Sequence, residues 1–169
     1  MRYKTYSKLD VDNKKVELKP GNFIVTHGTG IMDRMIQIFT NSHWNHAALV
    51  VSSSGETIES VSKGIRKNNL KEYGVNELYL IDAEMSEEDR KQVIEYAHFM
   101  LKKHSQYGFL TIASIAFKII THSRLVIKLD GTLICSEFVA KALEEGGVIW
   151  DKDGSLITPA DLYLKFVRS

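Results

Sequence analysis

The chain has very little cysteine and proline: one of the former, Cys135, and two of the latter in 169 residues. A lone thiol excludes an intrachain disulfide and any cysteine-based zinc site within one chain. Charge of one sign is also missing. With 22 Lys and Arg against 21 Asp and Glu, the formal net charge is +1, so no overall basic field points to a nucleic-acid partner. There is no long apolar run. The most apolar stretch, 109–120, is interrupted by Lys118 and falls short of the ~20 residues a membrane span needs; it reads as a buried helix, with peripheral membrane contact left open. Residues 1–19 are polar and lysine-rich, with no apolar segment after the charges. That pattern is not a secretory signal and leads to an expected cytoplasmic location, although a phage product or an exported effector would look the same.

What is present is ordinary for a globular domain: 44% hydrophobic and 25% charged residues. The length suits one domain, and we read 1–19 as a partly ordered N-terminal extension and 20–169 as a single catalytic domain without repeats or linkers. Pro20-Gly21 breaks the chain before a short strand at 22–26, followed by a glycine-rich turn at His27-Gly28-Thr29-Gly30. Helical spacing of Ile31, Met32, Met35, Ile36 and Phe39 predicts an amphipathic helix over 31–40. Strands are expected at 44–51, 56–61, 64–67 and 77–82, with Ser52-Ser53-Ser54-Gly55 closing a hairpin between the first two. Ser86 caps a helix running to about His104, and further helices are expected over 109–120, 135–145 and from Pro159 onward. Gly146-Gly147 stops the third of these. Strands grouped together and helices kept apart from them predict an α+β fold.

Cys135 falls where a helix is expected to begin. The positive end of a helix dipole and its free N–H groups lower a thiol pKa and can steady an oxyanion. Among the six histidines, His46 is the candidate base. On a strand it shares a face with Ala48 and Val50. A hairpin loop of two or four residues puts Ala48 opposite Glu59, so Glu59 becomes the diagonal neighbour of His46, within reach of its ring. A three-residue loop would turn Glu59 to the other face. With an even loop, the carboxylate can orient the imidazole and stabilise its protonated form. A two-histidine, one-carboxylate metal set of His43, His46 and Glu59 is the chemical competitor. It is disfavoured because residues 43 and 46 of a continuous strand point to opposite faces. No cofactor is called for, and Gly28 and Gly30 lack the following Lys-Ser/Thr of a phosphate loop.

At these residues the chain resembles the circularly permuted branch of the NlpC-type papain-like cysteine peptidases, relatives of lecithin:retinol acyltransferase. The likeness runs through Pro20-Gly21-Asn22-Phe23-Ile24-Val25, with Asn22 in place of the family's usual Asp. It continues through Ser42-His43-Trp44-Asn45-His46-Ala47-Ala48-Leu49-Val50, the acidic strand residue Glu59, Ile134-Cys135-Ser136-Glu137-Phe138-Val139 and Thr158-Pro159-Ala160-Asp161-Leu162. The order His, Glu, Cys marks the permuted branch. The resemblance implies a papain-like core, a small antiparallel sheet packed against helices, with Cys135 as nucleophile, His46 as base and Glu59 as its orienter. It also implies a tyrosine upstream of the cysteine as an oxyanion aid, for which Tyr107 is the candidate.

The expected activity is thus that of a thiol-dependent hydrolase working through an acyl-thioester, most simply on an amide or peptide bond, a cell-wall-type peptide included. Two alternatives stand beside it. One is lipid or fatty-acyl esterase or acyltransferase chemistry on the same fold; the other is a non-catalytic papain-like domain that binds a ligand or partner. The expected partner is a peptide or lipid-like acyl substrate, and the sequence leaves the oligomeric state open.

Overall fold

Six short strands pair into one antiparallel sheet, with three helices alongside, in a computed structural model. It describes residues 4–7, 16–27, 43–61, 64–73, 77–104, 135–151, 153–154 and 157–167. The strands are β1 (Lys4–Ser7), β2 (Phe23–His27), β3 (His46–Val50), β4 (Glu56–Val61), β5 (Gly64–Asn69) and β6 (Glu77–Asp82), in the spatial order β1-β6-β2-β3-β4-β5. The helices are α1 (Glu87–His104), α2 (Cys135–Glu145) and α3 (Pro159–Val167). The class is α+β. The helices expected over 31–40 and 109–120, and the turn at Gly28 and Gly30, lie outside the described residues.

Alternation along the strands gives the sheet two apolar faces. Phe23, Val25, Ala47, Leu49, Ile58 and Ile81 form one core with Val93 and Ala97 of α1, Phe138, Val139, Ala142 and Leu143 of α2, and Leu162 and Phe166 of α3. On the opposite face Ile24, Ala48, Val50, Leu78 and Leu80 pack with Tyr73, and Val16, Leu18 and Leu70 cover them. A strand buried on both sides reads as a continuous apolar run rather than an alternating one, which is why 47–51 is Ala-Ala-Leu-Val-Val.

Several boundaries differ from the sequence expectation: β2 is shifted by one residue to Phe23–His27, and β5 runs on past 67 to Asn69. Residues 4–7, assigned to an N-terminal extension, form the edge strand β1 against β6, with Thr5 opposite Ile81. β3 begins at His46 rather than Trp44, because Trp44 turns its indole into a cluster with Tyr79 and Tyr163 while the Asn45 N–H is held by the Thr26 carbonyl.

The caps are as local chemistry dictates. Ser86 Oγ accepts the Asp89 N–H and donates to the Asp89 carboxylate, and Thr158 and Asp161 repeat the reciprocal arrangement before α3. The end of α2 is a Schellman motif: the Gly147 N–H reaches the Glu144 carbonyl and the Val148 N–H the Leu143 carbonyl, with Gly147 at φ +80°. Arg90 fastens α1 to the sheet by a buried ion pair of 2.6 Å with Asp82 and a bond to the Pro20 carbonyl.

Gly146 is required for a different reason. A Cβ there would stand 2.6 Å from Val93 Cγ2 and 2.8 Å from Met85 Sδ, so α2 ends too close to α1 for any side chain. Gly146→Ala should destabilise the fold by about 1–3 kcal/mol, the usual cost of overpacking. Urea denaturation will show it as a lowered midpoint; an unchanged midpoint would contradict this close approach.

Candidate active site

The β3–β4 hairpin has the four-residue turn that the pairing of His46 with Glu59 needs. Val51 N–H bonds the Glu56 carbonyl and Gly55 N–H the Ser52 carbonyl, and the register runs Val50↔Thr57, Leu49↔Ile58. One step further puts Ala48 opposite Glu59 and makes His46 its diagonal neighbour. His46 Nε2 lies 2.7 Å from Glu59 Oε2.

Glu59 is 1% exposed, and a buried carboxylate persists as an ion only when both oxygens are satisfied. Oε1 accepts from Arg66 through Nε and Nη2, each at 2.8 Å, and from Asn68 Nδ2 at 3.0 Å. Oε2 accepts from the Tyr73 hydroxyl at 2.5 Å as well as from His46. Arg66 stands directly opposite Glu59 in the β4–β5 ladder, and Asn68 two residues on shares its face. Tyr73 arrives from the 3₁₀ turn Leu70–Glu72 that follows β5. Burial alone would raise the carboxyl pKa; the bond and charge of His46, with Tyr73 and Arg66, outweigh it and lower it from 4.5 to about 2.

Cys135 is the first residue of α2 and is buried. Its sulfur is hydrogen-bonded to the His46 side chain and receives the backbone N–H groups of Ala47 and Ser136. With His46 Nε2 taken by Glu59, Nδ1 is the ring nitrogen left to face the sulfur. The Ala47 N–H is available for a topological reason. Val50 N–H bonds β2 through the Asn22 carbonyl and Val51 N–H bonds the β4 side, so by alternation Ala47 N–H also faces the β4 side. The registered β3–β4 pairing stops at Leu49↔Ile58, and beyond it this N–H turns to the sulfur. The thiol thus sits at the notch where the two strands part, bringing α2, packed on one face, to a histidine whose carboxylate lies on the other.

The electrostatics follow from these contacts. Burial would push the Cys135 thiol up, but the charge and hydrogen bond of His46 and the two N–H groups bring it below its ordinary 9.0. Burial would push His46 down, but the charge and hydrogen bond of Cys135, then those of Glu59, raise it from 6.5 to about 10. Both shifts favour the imidazole over the sulfur as the seat of the shared proton.

The remaining sequence candidates fall elsewhere. His43 does not join Glu59. It precedes β3, stacks on His27 with ring centroids 4.0 Å apart and bonds Glu77 at 2.6 Å, so the proposed two-histidine, one-carboxylate set is not assembled. Among the described residues no group of three His, Cys, Asp or Glu side chains is arranged to hold a metal ion. His98 is on the exposed side of α1. Tyr107, the oxyanion candidate, lies outside the described residues. Asn22 is buried: its Oδ1 accepts the Lys19 N–H at 2.6 Å. Arg66, Asn68 and Tyr73 were not foreseen. Strand alternation could have found Arg66 once 64–67 was paired with β4; Asn68 lies past the end of that expected strand, and nothing in the sequence marks Tyr73. Among the described residues no helix is long and apolar enough to cross a membrane.

No protein-family model matches the chain, and no curated protein matches it.

Because Glu59 titrates lower in the folded protein than in the unfolded chain, its charge contributes stability above about pH 4.5 that is lost as pH falls toward 2. That contribution is on the order of 3 kcal/mol. Glu59→Gln should flatten stability across this window relative to the wild type. Urea midpoints measured at a series of pH values check it, and parallel curves for the two proteins would contradict the assignment.

Proposed function

We propose that this protein is a thiol-dependent hydrolase of papain-like architecture, permuted as in the NlpC-type enzymes, which cleaves an amide or peptide bond through an acyl-thioester. The observation that carries the reading is the hydrogen-bonded line Cys135–His46–Glu59 with two backbone N–H groups on the sulfur. A lone buried cysteine serving only as a core residue would have no use for an imidazole and a saturated carboxylate. The order of the three residues along the chain and their placement, thiol at a helix start and imidazole on a strand, support the architecture.

The chemistry follows from the charge state. His46 holds the thiol proton, and the Cys135 thiolate attacks the substrate carbonyl carbon. The N–H groups at the start of α2 steady the oxyanion that forms. The carbon–nitrogen bond breaks as His46 gives its proton to the departing amine. Water then attacks the thioester carbonyl, passing a proton to His46; the carbon–sulfur bond breaks, the acid leaves, and the thiolate–imidazolium pair is restored. Glu59 keeps the imidazole in plane and its Nε2–H paired through every transfer.

Turnover needs the thiolate and the imidazolium together. It should rise with pH as Cys135 loses its proton below 9, and fall as His46 loses its proton near 10. Cys135→Ala should abolish turnover and keep the fold. Incubation with activated amide and ester substrates, followed by intact-mass analysis, should give one acyl adduct on the wild type and none on the variant. Undiminished hydrolysis by Cys135→Ala would reject the reading.

A further inference from the structure

Glu59 Oε2 is shared. It receives Nε2 of His46 and the hydroxyl of Tyr73, which lies in the apolar core on that face of the sheet. A phenol has one proton, and here it is committed to Glu59. The contact of 3.2 Å between the Tyr73 oxygen and Thr57 Oγ1 must therefore have Thr57 as donor. The result is a directed chain: Thr57 O–H to Tyr73 O, Tyr73 O–H to Glu59, and on the same oxygen His46 N–H. Thr57 is fully buried and Tyr73 nearly so. Hydrogen bonds in such a chain polarise one another.

Resting on the thiol-centre reading above, we infer that Tyr73 is a positioning residue that acts on His46 through Glu59. A carboxylate oxygen that already accepts a strong O–H bond is a weaker acceptor for the imidazolium. The Tyr73 hydroxyl thus limits how tightly Glu59 holds the proton-bearing ring and leaves His46 able to surrender a proton to a leaving group. It also fixes the second lone pair, so that the carboxylate plane cannot swing away from Nε2. Arg66 and Asn68 do the corresponding work on Oε1. The groups that bear on the imidazole are then Cys135 from α2, Glu59 from β4, Arg66 from β5 through Glu59, and Tyr73 beyond β5. The partner of His46 on β2, Thr26, is uncharged.

Tyr73→Phe removes the proton and keeps the ring, 6.3 Å from that of His46. The test is an NMR titration of the His46 ring in the full chain, alongside the pH dependence of Cys135 alkylation by iodoacetamide. In Tyr73→Phe the alkaline titration of His46 should move upward by about half a pH unit, a roughly threefold gain in proton affinity. The acid-side ionisation of Cys135 should stay where it is. Thr57→Val, which only depolarises the chain, should shift His46 in the same direction by less, and gives an independent reading if Tyr73→Phe folds poorly. Loss of a packing role alone would lower stability without moving this titration. A wild-type titration in both variants, or a downward shift, overturns the role of Tyr73 and leaves the thiol centre standing. An ordinary, unpaired thiol titration in the wild type overturns both.

Discussion

A carboxylate with almost no exposed surface, set in a β-sheet, is the constraint on which the rest of this site depends. Taking an ion out of water costs several kcal/mol unless its lone pairs are filled by well-placed donors. Glu59 meets that condition through four side chains, Arg66, Asn68, Tyr73 and His46. Cross-strand register sets two of these donors, a tight turn after β5 brings the third, and the fourth is the imidazole. The hairpin turn and the β4–β5 pairing are thus what bring these donors to the carboxylate.

In the proposed charge state the charges alternate outward from that anchor: thiolate at Cys135, imidazolium at His46, carboxylate at Glu59, guanidinium at Arg66. Each ion is stabilised by its neighbours, and the four sum to zero. Arg66 is 59% exposed on its side chain, so one end of the line is solvated while the sulfur end is buried. A line of this kind lets the proton of the thiol reside on the imidazole at neutral pH without leaving a net charge in the protein interior. The break in the β3–β4 pairing serves the same end, because it frees a backbone N–H to face the sulfur and lets the start of α2 meet a side chain from the far side of the sheet.

Much of this was legible in the sequence. The strands 56–61 and 77–82 and the helix 135–145 have the bounds expected, because each is delimited by a strong signal: Ser-Ser-Ser-Gly before one, the capping serine after another, Gly146-Gly147 at the end of the third. The contact of His46 with Glu59 followed from the parity of one turn. The edge strand at 4–7 was not legible, since an edge needs pairing on one side only and its four residues show no distinctive alternation. Nor was Asn68 as a donor to Glu59, because the strand expected at 64–67 stops short of it. Tyr73 comes from a 3₁₀ turn, where neither helical nor strand periodicity applies.

The ionisation of Cys135 itself tests the central claim most directly. Ultraviolet difference absorbance of the thiolate, followed against pH in the wild type and in His46→Ala, reads it without any substrate. The account predicts a thiolate already present at neutral pH in the wild type and lost on acidification. In His46→Ala it should form only at or above the ordinary thiol value of 9.0. A wild-type thiol that stays protonated until that same pH would contradict it.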